Sequence, residues 1–141
     1  YGYSAEHGPG KDDEINEIRQ GNFGWDPIPG YNEEVDMTDL EKYPDAIEAV
    51  WESGDPTVAI SGIELLKGEQ WKGWEGSFLA ALLKDQQVRL IKFEENGDIR
   101  EEKVVDVDKR LRAMVQGPDG NIYFSTDNNG NVDQIYRIVP K

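Results

Sequence analysis

The sequence predicts an all-β fold. From Thr57 onward, short apolar runs alternate with polar turn residues at regular intervals, and no run keeps a helical period. The segments at 95–98 and 117–121 contain Asn-Gly-Asp and Pro-Asp-Gly-Asn, which supply the positive φ angles of tight turns. Many short strands separated by such turns indicate either a β-sandwich or a β-propeller.

The first quarter of the chain predicts two extended segments around a loop. Residues 1–5 alternate small and aromatic side chains, which is typical of the end of a strand. A second extended segment contains Ile15 and Ile18 and ends at the turn formed by Gly21 and Asn22. Trp25 is expected to pack between blades, and residues 26–35, with two prolines and a glycine, have the composition of a loop.

The next segment, residues 36–56, contains one predicted helical turn. Thr38 is expected to cap a turn over residues 39–43, which Pro44 ends because the residue before a proline avoids helical angles. Residues 45–52 fit either a helix or an extended run when judged on their apolar spacing alone.

The remainder of the chain predicts a series of strands. Their expected ranges are 58–66, 77–84, 87–94, 99–106, 111–116, 122–126 and 134–139. Residues 127–131 form a longer polar turn whose side-chain oxygens suit a cation, although solvated hairpin tips of this composition are the commoner case.

A glycine- and proline-containing loop at 8–10 is followed by the acidic residues Asp12, Asp13 and Glu14. Gly8 permits backbone angles closed to other residues, and Pro9 has no N–H, so the loop is expected to present carbonyl oxygens. Carbonyl and carboxylate oxygens are the ligands of Ca²⁺, which accepts about six to eight oxygens in irregular geometry. The spacing does not fit an EF-hand, and an acidic surface loop without an ion is the alternative.

The chain is strongly acidic, with a formal net charge of −14 and a pI near 4.4. This charge argues against nucleic acid and anionic membrane as partners, because both attract basic patches. No apolar run is long enough to cross a bilayer, and the absence of cysteine leaves the redox compartment open. His7 is the single histidine, so this chain cannot form a histidine metal cluster or a complete catalytic triad.

Two arginines stand out in the acidic background. Arg110 and Arg112 are two residues apart, so on a strand both side chains lie on one face. Arginine binds carboxylate through two parallel hydrogen bonds, which suits an anionic ligand. Pairing with Asp106 and Asp108 on an exposed strand face is the alternative that these residues leave open.

Several runs of residues, in the same order and close spacing, resemble the glucose/sorbosone dehydrogenase family of soluble quinoproteins. They are Glu-His-Gly-Pro at 6–9, Asp-Asp-Glu-Ile-Asn at 12–16, Gly-Asn-Phe-Gly-Trp at 21–25, Pro-Thr-Val-Ala-Ile-Ser-Gly at 56–62, Leu-Leu-Lys at 82–84, Arg-Leu-Arg at 110–112 and Gly-Pro-Asp-Gly at 117–120. The resemblance implies a six-bladed β-propeller that binds pyrroloquinoline quinone (PQQ) with calcium and oxidises aldoses or related sugars. It implies that residues 1–141 form part of that domain, about its last two to three blades, with an irregular insert around 26–56 and an extended run at 45–52.

The same resemblance assigns roles to residues of the loop. His7 is expected to face the quinone pocket, and the backbone carbonyls of Gly8 and Pro9 are expected to hold the calcium ion that clamps the cofactor. Glu14 matches a carboxylate ligand of a second, structural calcium ion. The backbone carbonyl of Phe23 matches another ligand of that second ion.

The resemblance also assigns residues to the cofactor itself. Lys84 is expected to contact the quinone, and Thr57 to lie at a position that lines the cofactor. Arg110 and Arg112 are expected to offset the carboxylates of PQQ, because a chain this acidic needs a local cationic patch to hold such an anion.

The family takes its catalytic base, a histidine, from an earlier blade, so this chain by itself is expected to be inactive. A sugar substrate and an electron acceptor are the implied partners, and the implied location is extracellular or periplasmic. Two alternatives stay open: a non-catalytic calcium-binding propeller module for protein or carbohydrate interaction, and a calcium-dependent lactonase-like hydrolase. Because part of a ring exposes apolar blade faces, we also expect homo-oligomers.

Overall fold

A computed structural model describes residues 2–25, 36–128 and 131–141. The chain divides into two compact units, Tyr1–Ile60 and Ser61–Lys141. The loop predicted at 26–35 and part of the polar turn predicted at 127–131 lie outside the described residues.

The first unit contains a three-stranded antiparallel sheet. Its strands are β1 (Tyr3–Glu6), β2 (Glu14–Glu17) and β3 (Trp51–Glu52), in the order β1-β2-β3. Ile15 on β2 lies opposite Trp51 on β3, and both side chains are buried. The predicted extended segments are confirmed at residues 3–5 and around Ile15, with the loop at 8–10 between them; Tyr1 lies outside the described residues, and β2 ends at Glu17, before the predicted turn at Gly21.

The segment that leads into β3 contains the expected turn, but a different residue caps it. The backbone N–H of Tyr43 donates to the carbonyl of Asp39 at 2.9 Å, which closes one helical turn. The Asp39 carboxylate accepts from the N–H of Lys42 at 2.9 Å, so Asp39 is the capping residue. The prediction of Thr38 was wrong because the Thr38 hydroxyl donates instead to Glu14. Residues 46–49 are not helical and lead into β3, as the extended interpretation requires.

A four-stranded antiparallel sheet opens the second part of the chain. Its strands are β4 (Ile60–Leu65), β5 (Phe78–Leu82), β6 (Gln87–Phe93) and β7 (Ile99–Asp106), in the order β4-β5-β6-β7. All five residues of β5 are buried, which explains why this strand is an unbroken apolar run. A 3₁₀ helix at Glu69–Trp74 precedes β5, and it was not predicted because six residues are too few to show a helical period.

A second antiparallel sheet follows, with strands β8 (Leu111–Gln116), β9 (Ile122–Thr126) and β10 (Ile135–Ile138) in the order β10-β9-β8. Phe124 and Tyr136 face each other across β9 and β10, and their rings stack at 5.2 Å. The bounds of β7, β8 and β9 coincide with the predicted ranges. The all-β fold class is confirmed, since up-and-down antiparallel sheets of this size are the units of propeller blades.

Strands of both sheets in the second unit share one apolar core. Buried side chains of β5, β6, β8 and β9 meet there, among them Leu79, Leu90, Leu111 and Phe124. At Gly62 the backbone of β4 passes close to β8, because a Cβ atom placed there would lie 2.7 Å from the nitrogen of Met114. The motif glycine is therefore required for the packing of one strand against the other.

Candidate functional site

The predicted calcium loop forms one wall of a cavity of about 590 Å³ in the first unit. The residues that line the cavity are Glu6, His7, Gly8, Pro9, Glu14, Phe23, Trp25 and Met37. The structure thus brings together all four predicted metal-binding residues and the one predicted cofactor residue of the loop. Trp25 is 44% exposed and lines this cavity, and its predicted packing between blades stays a prediction.

Asp13 holds the loop in shape from a position that is 0% exposed. One carboxylate oxygen accepts from the N–H of Gly8 at 2.8 Å and from the hydroxyl of Thr57. The other accepts from the N–H groups of Val58 at 3.1 Å and Ile60 at 2.8 Å. Four donors satisfy this buried carboxylate. Such partners are needed because a buried polar group is costly when it forms no hydrogen bonds. Asp13 therefore ties the loop to residues 57–60.

Gly8 is required in the loop for a reason that differs from the predicted one. Its φ angle does not lie in the left-handed region, whereas Asp12 has φ 55°. A Cβ atom at position 8 would lie 1.8 Å from the carbonyl oxygen of Lys11. Space, rather than an unusual backbone angle, excludes any other residue there.

Glu14 is a buried carboxylate on the wall of the cavity. One of its oxygens accepts from the side-chain amide of Asn16 at 2.9 Å, and the other accepts from the hydroxyl of Thr38 at 2.9 Å. Burial raises the pKa of Glu14, and the negative charges of Glu52 and Glu6 raise it further. The two hydrogen bonds lower the pKa, but the net shift is upward. A positive ion in the cavity would offset this concentration of negative charge.

The groups around Glu14 fit a hard cation. Among the described residues, no hydrogen bond reaches the carbonyl oxygens of Gly8, Pro9 or Phe23. The Asn16 amide also donates to Glu6 at 3.3 Å, and its buried Oδ1 atom has no hydrogen-bond partner in the part of the chain that the structure describes. In the described part of the chain no three acidic, histidine or cysteine side chains are grouped to hold a metal ion. An ion here would therefore need backbone carbonyls beside Glu14, which is the ligand type that Ca²⁺ accepts.

The arginines predicted to bind the cofactor converge in the second unit. Nε of Arg112 donates to the Asp127 carboxylate at 2.8 Å, and the Arg112 Nη2 atom contacts the same oxygen. Nε of Arg110 donates to the Asp127 carbonyl at 3.3 Å. Both side chains therefore reach one point, as their spacing predicts. The acid that pairs with Arg112 is Asp127, whereas Asp106 pairs with Lys103.

The remaining two predicted cofactor residues differ in their surroundings. Lys84 follows β5, is exposed, and forms no ion pair with any residue that the structure describes. Thr57 is buried, and its hydroxyl donates to Asp13. The observed contact of Thr57 is structural, and its predicted role at the cofactor stays a prediction.

Sequence reasoning missed three residues of the site: Asn16, Thr38 and Glu6. Asn16 stands in the Asp-Asp-Glu-Ile-Asn run two residues from Glu14, so strand alternation was the signal that could have placed both on one face. Thr38 is 24 residues from Glu14, and no local pattern links them.

No helix in the described ranges combines the length and the apolar character needed to cross a membrane.

Comparison with known proteins agrees with the fold and the loop. A family model described as Glucose / Sorbosone dehydrogenase matches residues 3–137. An uncharacterized protein, slr1608, of Synechocystis is 32% identical over 138 residues, which cover 92% of this chain and 32% of that protein. Aldose sugar dehydrogenase YliI of Escherichia coli is 28% identical over 147 residues, with 96% of this chain and 38% of that protein covered.

Solved structures share the fold. A structure titled glucose dehydrogenase has a TM-score of 0.77 at 24% identity and covers 99% of this chain and 40% of its own. The PQQ-bound form of aldose sugar dehydrogenase from Streptomyces coelicolor has a TM-score of 0.62 at 21% identity, with 96% of this chain and 38% of its own covered. The chain thus spans about a third of the length of the curated relatives it matches.

The family model covers nearly all of the described sheets and the loop that lines the cavity. The chain therefore belongs to the Glucose / Sorbosone dehydrogenase family, of whose propeller it forms a part.

Proposed function

We propose that this chain supplies a calcium site and part of the cofactor floor of a PQQ-dependent aldose dehydrogenase. The proposal rests on one observation: a single cavity is lined by all the residues assigned to calcium and to the quinone pocket in the loop, which are His7, Gly8, Pro9, Glu14 and Phe23. The family resemblance, which does not depend on this geometry, assigns the same residues to calcium and to the quinone pocket. Membership of the family and the PQQ-bound relative of similar fold support the same assignment.

The loop is suited to hold calcium through its backbone. The Gly8 and Pro9 carbonyls accept no hydrogen bond from any described residue, and Asp13 fixes the backbone that carries them. Glu14 contributes a buried carboxylate, and because burial raises the pKa of Glu14, a bound cation would favour its charged form. This combination lowers the cost of ordering the ligands, because the loop does not have to rearrange to present its oxygens.

The cofactor is an anion with carboxylate groups, and the basic residues of the second unit are suited to bind it. When bound, PQQ supplies the two-electron acceptor for oxidation of the sugar. Arg110 and Arg112 bring two guanidinium groups to one point, and Lys84 adds an exposed ammonium group. Asp127 forms an ion pair with Arg112 in this structure, so a carboxylate of the cofactor competes with Asp127 for the Arg112 guanidinium.

The substrate class is an aldose or a related sugar, and the reduced cofactor passes its electrons to a separate acceptor. An extracellular or periplasmic setting completes the proposal. These three points rest on the family resemblance, and the −14 net charge is compatible with a neutral sugar as substrate.

The test is reconstitution, with PQQ and calcium, of a full-length family propeller that contains these 141 residues. We expect quinone absorbance to report binding, and an aldose to reduce an artificial dye when both additions are present. Arg112→Gln should weaken PQQ binding by roughly 1.5–3 kcal/mol, which is the cost of one charge-assisted hydrogen bond. Asp127→Asn should tighten it, because the competing carboxylate is gone.

Arg19→Gln is the matched control, since Arg19 is an exposed arginine that does not line the cavity. Equal losses of PQQ affinity in Arg19→Gln and Arg112→Gln would show a general charge effect and remove the assigned cofactor site. Absence of both cofactor binding and sugar-dependent dye reduction would make the dehydrogenase proposal wrong.

A further inference from the structure

We propose that the second unit carries a separate binding site for a small planar organic anion with two or more carboxylate, phosphate or sulfonate groups. The site is a cavity of about 790 Å³ between the 3₁₀ helix, strands β6 and β7, and the residues after β10. It has no residue in common with the calcium loop, Lys84 or the two arginines assigned to PQQ. The inference therefore goes beyond the proposed function and does not depend on it.

The charge of this cavity is opposite to that of the chain. The sequence has 29 acidic and 15 basic side chains, whereas the described residues that line the cavity include five basic side chains and one acidic one. The basic residues are Lys72, Lys92, Arg100, Lys103 and Lys141, and the acidic residue is Glu102. A third of all lysines and arginines therefore surround one cavity, where they attract anions against the net charge of −14.

The positive groups come from separate elements, which suits a ligand with more than one anionic group. Lys72 belongs to the 3₁₀ helix, Lys92 to β6, and Arg100 and Lys103 to β7. Lys103 is 3.0 Å from Asp106, and Lys92 is 3.5 Å from Glu94. Ion pairs at exposed positions are weak, so a bound anion is able to displace these acids. Lys72 forms no ion pair with any described residue.

The half-buried Trp74, with the buried Trp71 behind it, gives the cavity a flat apolar wall. The rings of Trp71 and Trp74 are stacked, with centroids 6.3 Å apart and planes 6° from parallel. Nε1 of Trp71 donates to the carbonyl of Gly120 at 2.9 Å, which fixes the orientation of that indole. Val104 and Ile138 add apolar surface to the lining. The ring available to a ligand is that of Trp74, which is half-buried and packs on the fixed Trp71, and it favours a planar ligand because aromatic rings stack in offset parallel arrangements.

The backbone at Lys72 points to a binding role by an independent route. Lys72 has φ 50° and ψ −123°, inside a short helix where these angles are not helical. This conformation is that of the first central residue of a type II′ turn, where glycine is strongly preferred. A lysine at this position is strained, and residues strained in this way cluster at active sites and ligand-binding sites. Lys72 is the residue of this helix that combines the strained backbone with a basic side chain, and it lines the cavity.

The test is a calorimetric titration of the purified protein with 1,5-naphthalenedisulfonate, which combines a planar ring with two anionic groups. Inorganic phosphate and uncharged 2-naphthol are the matched probes that carry the charge alone and the ring alone. We expect the disulfonate to bind more tightly than either, and its binding to weaken as salt is added.

Lys72→Gly separates binding from stability. Glycine adopts the observed angles without strain, so the melting temperature should stay the same or rise while the affinity for the disulfonate falls about tenfold. Lys103→Gln should lower the affinity in the same direction. Lys67→Gln, an exposed lysine outside the cavity, is the control and should leave the affinity unchanged.

Three results would overturn the proposal. The first is equal affinity of Lys72→Gly and the unaltered protein for the disulfonate. The second is equal binding of 2-naphthol and the disulfonate, which would reduce the site to an apolar patch. The third is a loss of disulfonate affinity in Arg112→Gln as large as that in Lys72→Gly, which would place the probe at the proposed PQQ site. Failure of PQQ reconstitution alone affects only the proposed function.

Discussion

The backbone N–H of Ile60 donates a hydrogen bond of 2.8 Å to the carboxylate of Asp13, across 47 residues of sequence. The same carboxylate accepts from Val58, Thr57 and Gly8. The shape of the loop at 8–10 therefore depends on a buried side chain that also binds the backbone of residues 58 and 60.

Replacement of Asp13 by alanine is expected to destabilise the protein strongly. Each buried donor left without an acceptor costs about 1–3 kcal/mol, so the free energy of unfolding should fall by at least about 3 kcal/mol. Asp12→Asn is the matched control, because asparagine tolerates the left-handed φ of 55° at position 12. Denaturant unfolding measures both. Equal stability of Asp13→Ala and Asp12→Asn would show that the four hydrogen bonds contribute little.

Calcium is expected to raise the melting temperature through Glu14. Binding to the folded state alone adds about 2.7 kcal/mol when free calcium is a hundredfold above its dissociation constant. Glu14→Gln removes the buried charge that favours the ion and should abolish most of the difference between calcium and chelator. Glu17→Gln, on the same strand, is the control and should keep the full difference. The site is wrong if melting in calcium and in chelator coincides for the unaltered protein.

Gly62→Ala is expected to destabilise the second unit. The added Cβ would lie 2.7 Å from the nitrogen of Met114 and 2.8 Å from the carbonyl oxygen of Arg112, and backbone atoms of a packed strand cannot move aside freely. Overpacking of this kind costs about 1–3 kcal/mol. Gly73→Ala is the control, because no atom lies within 4 Å of its added Cβ. A Gly62→Ala protein as stable as Gly73→Ala would contradict the close approach of β4 and β8.

Gln116→Glu is expected to weaken the contact between the end of β8 and the segment before the 3₁₀ helix. Nε2 of Gln116 donates to the carbonyls of Lys67 at 2.7 Å and Gly120 at 2.9 Å, while Oε1 accepts from the N–H of Lys67 at 3.0 Å. A carboxylate cannot donate to either carbonyl, so the free energy of unfolding should fall by about 1–3 kcal/mol. Gln87→Glu serves as the control, since Nε2 of Gln87 contacts only a neighbouring side chain among the described residues. An equal effect of both changes would point to added charge as the cause.

Tyr123→Phe is expected to raise the pKa of Asp119. The Tyr123 hydroxyl donates to that carboxylate at 2.7 Å, and this bond, followed by those from Asn121, holds the pKa of Asp119 below its ordinary value of 3.8. A lowered pKa in the folded state adds stability above the ordinary pKa, and this stability is lost as the pH falls through the lowered value. An NMR titration of the Asp119 carboxyl carbon measures the shift. Tyr136→Phe, whose hydroxyl contacts Gln134, should leave it unchanged, and an unchanged value in Tyr123→Phe would refute the assignment.

The local pattern of the sequence determined the fold class and most strand bounds. Strands β7, β8 and β9 begin and end where their apolar alternation and flanking turns predict, because these signals act between neighbours in the chain. The spacing of Arg110 and Arg112 also predicted that their side chains would meet, whereas the grouping of His7, Glu14 and Phe23 was implied by the family resemblance. The 3₁₀ helix escaped prediction because it is a single short segment without a period.

Tertiary structure alone decided what surrounds these residues. Asp13 finds its donors at residues 57–60, Thr38 reaches Glu14, and Lys72 shares a cavity with strand β7. Contacts of this kind form between segments tens of residues apart, so no repeat or spacing in the sequence predicts them. The sequence determines which side chains are able to bind an ion or an anion, and packing of the distant segments determines where they do so.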